Sequence, residues 1–277
     1  MIVSIEGQEA TAKSTMALTA PLPIVCFAFD IGQRRAIQGT AWDTYFKDLK
    51  IETIKYDRDY KGEPKPNWSG NDITIYELPS PIQLDSNRVT GYIRVWEYFM
   101  YLLADAYNDN DISTVVVDTM TIARRVKADA HLEGLNIGKA PGDYRKQLIQ
   151  IEYGPINGAI ENIYSLFAQS TKNLITTHHL MDEYKPQLIS GQMQDAPTGN
   201  YLLEGWNKTY RAVDVALRNT KVKGQITSTF VKCGDNLSLE GGPCIPADWN
   251  GMAQLIMGSL GGRIEIPLRN LTPERTK

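Results

Sequence analysis

The hydrophobic positions of this chain fall into short continuous runs separated by segments of helical period. Residues 1–6 (MIVSIE), 24–30 (IVCFAFD) and 113–117 (STVVV) are apolar and rich in β-branched side chains, which predicts buried strands. Residues 50–56, 72–78, 173–177 (NLITT), 213–218 and 227–232 are further strand candidates. A helix is expected to start near Lys13 and to end early, because Pro21 and Pro23 cannot continue it. Residues 41–49 look amphipathic and predict a second helix. Residues 91–107 (GYIRVWEYFMYLLADAY) repeat apolar side chains at helical spacing, so their Trp and Tyr stripe reads as core rather than as a base-stacking surface. Another helix is predicted from near Thr121, then a Gly-rich stretch over 134–142. A helical region to Ser170, interrupted at Gly154-Pro155, follows, and a late helix covers 249–257. The stretches 57–71 and 182–199 are polar, with Pro and Gly, and predict loops.

Strands alternating with helices imply an α/β fold: a mostly parallel central sheet with crossover helices. No internal repeat or linker breaks the chain, so one domain over 1–277 is expected, with a core to about residue 235 and a C-terminal extension over about 236–277 that adds strands. The formal net charge of -3 leaves no global basic field, so any nucleic-acid contact must come from a local patch or loop. The 3 cysteines (Cys26, Cys233, Cys244) form no CxxC pair, which argues against a disulfide framework or structural zinc and for a reducing compartment. No apolar run is long enough to span a bilayer and no signal peptide precedes the first strand, so a cytoplasmic protein without membrane contact is expected.

The chemistry is concentrated in Gly7-Gln8-Glu9-Ala10-Thr11-Ala12-Lys13-Ser14-Thr15, which nearly satisfies G-x-x-x-x-G-K-[ST] between an apolar strand and a helix. Backbone N–H groups in such a loop cradle phosphate oxygens, helped by the helix dipole. Lys13 would reach the β- and γ-phosphates, Ser14 would ligate Mg²⁺, and Thr15 would approach the α-phosphate. Ala12 stands where the second glycine is expected; a right-handed backbone there would keep the cost of its methyl small. The partner motif is the strand ending in Asp118 (VVVDT), a Walker B pattern whose carboxylate would hold Mg²⁺ through its water shell. ATP, or another nucleoside triphosphate, and Mg²⁺ are the ligands these motifs call for.

With these residues in place, the chain resembles the RecA-type recombinase ATPases, and most closely their compact phage-encoded relatives found beside single-strand annealing or recombination functions. Glu9 inside the phosphate loop is similar to that family's loop, residues 26–30 resemble its second strand, and 174–180 (LITTHHL) its sensor strand. Residues 198–200 and 206–218 look like the segment following its second DNA-binding loop, so the resemblance spans about 1–235. It implies a RecA-like P-loop core, ATP hydrolysis, single-stranded DNA as a partner, a homo-oligomer whose subunits share sites, and a single-strand-binding or annealing protein nearby. It places the protein in the host cytoplasm if phage-encoded. Position by position it implies His179 as the γ-phosphate sensor, with His178 adjacent; a loop-packing role for the pair is the alternative. Lys232 or Arg218 would reach a neighbouring subunit's phosphates, or each is a plain strand residue. The family's glutamate after the second strand is not evident: Asp30 is the substitute base, with Glu77 as another candidate, so slow hydrolysis is expected. The family's N-terminal oligomerisation segment is not evident either, which points self-association to core surfaces.

Two stretches, about 124–146 and 181–200, correspond to loops that line the DNA path in the resembling family. The first carries Arg124, Arg125, Lys127, Lys139, Arg145 and Lys146, and the second Tyr184 and Lys185. Three readings remain open: an ATP-dependent recombination protein on single-stranded DNA, a weakly hydrolysing nucleotide switch or scaffold that controls a partner, and a small-molecule kinase. The kinase lacks an arginine-rich lid in the sequence.

Overall fold

The computed structural model describes residues 1–30, 32–39, 41–59, 62–78, 90–189 and 192–269. Its strands in chain order are β1 (Ile2–Gly7), β2 (Ile24–Ala28), β3 (Ile51–Lys55), β4 (Ile73–Glu77), β5 (Thr114–Asp118) and β6 (Asn173–His178), then β7 (Leu180–Ile189), β8 (Gln192–Leu203), β9 (Val215–Val222), β10 (Gln225–Cys233) and β11 (Pro243–Cys244). Nine of them form one sheet in the order β11-β10-β9-β1-β6-β5-β2-β4-β3. The run from β9 to β3 is parallel throughout, and β10 and β11 are added antiparallel at the β9 side. The architecture is the one expected: an α/β fold with a mostly parallel sheet flanked by helices, and extra strands late in the chain.

Helices cover both faces, which is why β1, β2, β5 and β6 are buried along their whole length rather than in alternation. On one face α3 (Tyr92–Asn108), α4 (Met120–Asn136) and α5 (Tyr153–Phe167) bury Val95, Phe99, Leu102, Val126, Ile160 and Phe167 against Val25, Phe27 and Val117. On the other, α1 (Lys13–Ala17), α2 (Gln33–Gln38) and α7 (Trp249–Ser259) pack Met16, Ile37, Trp249 and Met252 on Val3, Ile5, Cys26 and Leu217. A four-residue α6 (Thr209–Ala212) leads into β9. Arg269, near the end of the described chain, is 4% exposed and donates to the carbonyls of Leu18 (2.5 Å) and Tyr45 (2.8 Å), tying the C-terminal segment under α1. Burial holds its pKa down at about 10.

Several elements differ from expectation. Residues 41–49 form only a π-helical turn, Trp42–Phe46, in which Phe46 is buried and Trp42 and Tyr45 lean on the same cluster; packing of aromatics, not a helical repeat, made the pattern. The glycines from 134 do not stop α4, which runs on to Asn136, where that side chain holds both backbone groups of Arg145 at 2.9 Å. Gly154-Pro155 does not interrupt a helix but lies in the first turn of α5, where a missing N–H costs no intrahelical bond.

The largest correction concerns 182–199, of which 190 and 191 lie outside the described residues: 182–189 and 192–199 are strand, and β7 and β8 pair as a two-stranded antiparallel hairpin apart from the main sheet. Its sequence reads as a loop because both faces are mostly exposed and Pro186, Pro197 and Gly199 fall among its polar residues. The register shifts between Asp182 and Tyr184. There Glu183 accepts from Thr198 Oγ1 (2.7 Å) and Asn200 Nδ2 (3.2 Å) and pairs with Lys185 (3.0 Å); the Thr198 hydroxyl first, then Lys185 and Asn200, draw its pKa down to about 2.

Candidate nucleotide and magnesium site

Strands β1, β6, β5 and β2 end side by side at one edge of the sheet, and the candidate residues leave from these ends. Gly7 closes β1 in register with Asn219 of β9. A Cβ on Gly7 would sit 2.5 Å from Thr11 Oγ1 and 2.6 Å from the Asn219 carbonyl oxygen, so only glycine lets the chain turn here. The loop Gln8-Glu9-Ala10-Thr11-Ala12 is fastened from inside: Thr11 Oγ1 donates to the Gln8 carbonyl (2.8 Å), and Asn219 Nδ2 donates to the Thr11 carbonyl (3.1 Å). Ala12 takes φ 57° and ψ 29°, the left-handed region, as the N-cap of α1. The low-cost right-handed backbone is therefore not what the loop uses; this alanine carries a strain of about 1–2 kcal/mol that glycine would not. Ala10, at φ 58°, is held the same way.

Lys13 is 7% exposed and donates from Nζ to the carbonyls of Gly7 (2.8 Å) and Gln8 (2.7 Å). Burial lowers its pKa, while Asp118, Asp30 and Glu9 pull it back up, so three carboxylates lie within electrostatic reach of one ammonium. Ser14 Oγ donates to Asp118 Oδ2 at 2.7 Å, and the Thr177 hydroxyl donates to Asp118 Oδ1. Burial raises the pKa of Asp118, which is 1% exposed; the Thr177 and Ser14 hydroxyls oppose that rise and Asp30 adds to it. A divalent cation here would remove the conflict, because it supplies the positive charge that a buried carboxylate lacks. Thr15 Oγ1 donates to the Ala36 carbonyl of α2 (3.2 Å), tying the start of α1 to the segment after β2.

Asp30 and His179 meet across the ends of β2 and β6, with Oδ2 and Nε2 3.7 Å apart. The backbone of His179 is pinned: its N–H donates to Thr121 Oγ1 (3.1 Å) and its carbonyl accepts from Glu204 N–H (3.0 Å). Thr121 Oγ1 in turn donates to the Glu204 carbonyl (2.9 Å), and Arg125 pairs with the Glu204 side chain at 3.1 Å. The two feet of the hairpin are thus clamped beside His179 and the start of α4. His178 points the other way, into the core. It is 1% exposed, with Nε2 3.1 Å from Thr176 Oγ1 and 3.3 Å from Tyr164 Oη, and burial first, then His179 and Lys13, lower its pKa to about 3.

The remaining candidates lie elsewhere or are engaged. Glu77 ends β4, two strands away from Asp118, and lines a separate groove with Arg34 and Lys55. Arg218 binds the fully buried carboxylate of Glu6, through Nη2 at 2.5 Å and Nε at 2.6 Å, while Tyr210 Oη donates to the other Glu6 oxygen at 2.5 Å. Lys232 Nζ donates to the carbonyls of Tyr210 (2.8 Å) and Val213 (2.5 Å). Of the cations near 124–146, Arg124 bonds Asn157 and lies over Tyr153, Arg125 holds Glu204, Lys127 lies over Trp96, and Arg145 holds Glu152 at 2.5 Å. Lys139 and Lys146 are exposed.

Sequence reasoning missed Thr177, Thr121, Asn219 and Glu6. Each is a polar residue inside or beside an apolar run, a signal that was present; what each touches depends on strand order, which no local pattern carries. Among the described residues no group of three or more His, Cys, Asp or Glu could hold a metal ion, and no helix is long and apolar enough to cross a membrane.

No protein-family model matches this chain, and no curated protein matches it. Among solved structures, the crystal structure of the RadB recombinase is similar over 87% of this chain and 83% of its own, with a TM-score of 0.40 and 10% sequence identity. A likeness at that level has no bearing on the chemistry of the site.

Proposed function

We propose that this chain is a magnesium-dependent ATPase of the RecA-like P-loop class, acting in phage-type DNA recombination or single-stranded DNA handling. The observation that carries the nucleotide reading is the convergence of Lys13, Ser14 and Asp118 at the end of a glycine-led loop opening a helix. The two carbonyls now held by Lys13 mark an ammonium poised at the loop, free to exchange them for phosphate oxygens. The Ser14 hydroxyl and the Asp118 carboxylate are oxygen donors of the kind Mg²⁺ takes, and they already touch. When bound, Mg²⁺ would neutralise phosphate charge between these two side chains.

In this reading the loop amides and Lys13 bind and orient the triphosphate, and Asp30 holds the attacking water. His179 senses the terminal phosphate; its bonds to Thr121 and Glu204 carry that state to the hairpin. A carboxylate one methylene shorter than glutamate, paired with an imidazole, supports slow turnover. A cation supplied by a neighbouring subunit would have to leave Glu6, for Arg218, or two carbonyls, for Lys232.

The test is ATP turnover with and without single-stranded DNA, alongside Mg-ATP calorimetry. Lys13→Ala is expected to weaken binding by about 2–3 kcal/mol, the worth of charge-assisted hydrogen bonds, which is about 30- to 150-fold. DNA stimulation that falls with rising salt supports the recombination role; unchanged triphosphate affinity in Lys13→Ala refutes the site. A second reading, a nucleotide switch that controls a partner protein, is favoured by one observation: four of the six cations assigned to DNA are already engaged within the chain. Tight ATP binding with turnover near zero and no DNA affinity would select it.

A further inference from the structure

We infer that the β7–β8 hairpin docks into the groove between α3 and α4 of a second copy of this chain. The inference rests on the proposed function, whose RecA-like class implies a homo-oligomer with sites shared between subunits. Cross-strand pairs assign the two faces of the hairpin beyond its register shift. Tyr184 opposes Pro197, Pro186 opposes Asp195 and Leu188 opposes Met193 on one face, while Lys185, Ala196, Gln187 and Gln194 share the other. The first face is apolar yet uncovered, with Tyr184 58%, Leu188 71% and Met193 66% exposed. Clustered exposed apolar side chains of this kind mark interaction surfaces, and a two-stranded hairpin gains stability by packing against another element.

Charge decides against nucleic acid as the occupant. The hairpin carries Asp182, Glu183 and Asp195 against Lys185 alone, and Lys185 is spent on Glu183. Asp195, the one carboxylate on the apolar face, would repel a phosphate backbone. The occupant that fits is an apolar cleft with one cation at its rim.

Such a cleft exists on the same chain. Ile93, Trp96, Ala130 and Leu135 line a groove of about 240 Å³, with Lys127, His131 and Glu97 around it. Lys127 lies 5.2 Å from the centre of the Trp96 ring and is half-buried there, with the Glu97 carboxylate in electrostatic reach, so Asp195 would share this cation with Glu97. Leu188 and Met193 would enter the groove, and Asp195 would meet Lys127. Exchanged reciprocally, the contact closes a two-fold dimer; made in one direction only, it is heterologous and propagates into a ring or a filament. Because the feet of the hairpin hold His179, the contact also joins one subunit's groove to its neighbour's nucleotide site.

The experiment measures assembled mass by sedimentation and light scattering over a concentration series, in Mg²⁺ and ATP without DNA. Asp195→Lys and Lys127→Asp, each folded by circular dichroism, are expected to weaken association at least tenfold, and the two changes in one chain to recover most of it. Leu188→Asp weakens association without rescue by Lys127→Asp. Assembly that ignores all these changes overturns the interface and leaves self-association standing. A wild-type chain that stays monomeric at every concentration overturns self-association itself.

Discussion

His178 makes the chain sensitive to mild acid, and the size of the effect follows from its surroundings. The ring is enclosed against Tyr164 and Thr176, its Nδ1 has no hydrogen-bond partner among the described residues, and its pKa is held at about 3, against about 6.5 in an unfolded chain. The folded pKa is depressed, so the contribution to stability is fully present above pH 6.5. As the pH falls below that value the unfolded chain takes up a proton that the folded chain refuses. Stability is then lost at about 1.4 kcal/mol per pH unit until pH 3, where the folded form also titrates. Between pH 7.5 and pH 5.0 the loss is about 2 kcal/mol from this one residue. His178→Phe fills the same space and leaves the Tyr164 hydroxyl donating to Thr176 at 3.1 Å. Urea unfolding of both proteins at the two pH values isolates the effect, because every other titrating group is common to both. The wild type should lose about 2 kcal/mol more than the variant. Equal losses would show that His178 is solvated or charged in the fold and would refute the argument.

Four further outcomes are expected. Ala12→Gly releases left-handed strain of about 1–2 kcal/mol and gives back about 0.4–1 in chain entropy, so thermal unfolding should move upward by a few degrees at most; a fall would place Ala12 in another conformation. Arg218→Ala leaves the buried Glu6 carboxylate with Tyr210 alone and should cost about 3 kcal/mol in urea unfolding. A cost under 0.5 kcal/mol, with turnover lost, would instead assign Arg218 to the phosphates of another subunit. Asp30→Asn should cut turnover while calorimetric ATP affinity stays within a few-fold, and unchanged turnover removes Asp30 as the water-holding group. Gly7→Ala should abolish triphosphate binding, since its Cβ would collide with Thr11 and Asn219; retained affinity would mean the loop has another path.

Much of the fold was legible because parallel strands buried on both faces advertise themselves as unbroken apolar runs. Residues 24–28 and 114–118 are strands for that reason, and the chemistry at their ends could be ordered along the chain. The loop from Gly7 to Ser14 was legible as a strand-to-helix connection because the apolar run before it stops at that glycine. The hairpin was not, since a two-stranded arm in water carries the composition of a loop. Lys127, Arg124 and Arg145 looked like a basic patch because sequence counts charges without their partners: an indole, a tyrosine ring and Glu152. Thr177 could not be assigned to Asp118 until β6 was known to lie beside β5.

The place of β1 in the sheet has a consequence for how the protein is made. Its neighbours are β6 and β9, whose residues lie some 170 and 210 positions further along the chain. During synthesis β1 therefore leaves the ribosome long before either flank exists, and the loop after it lacks the Asn219 side chain that fastens the Thr11 carbonyl. Such distant pairings close late and slowly. A chain that stops short of Val222 should be unable to hold the loop from Gln8 to Ala12 in place, and the side chains of Ile2, Val3 and Ile5 stay uncovered until β9 arrives.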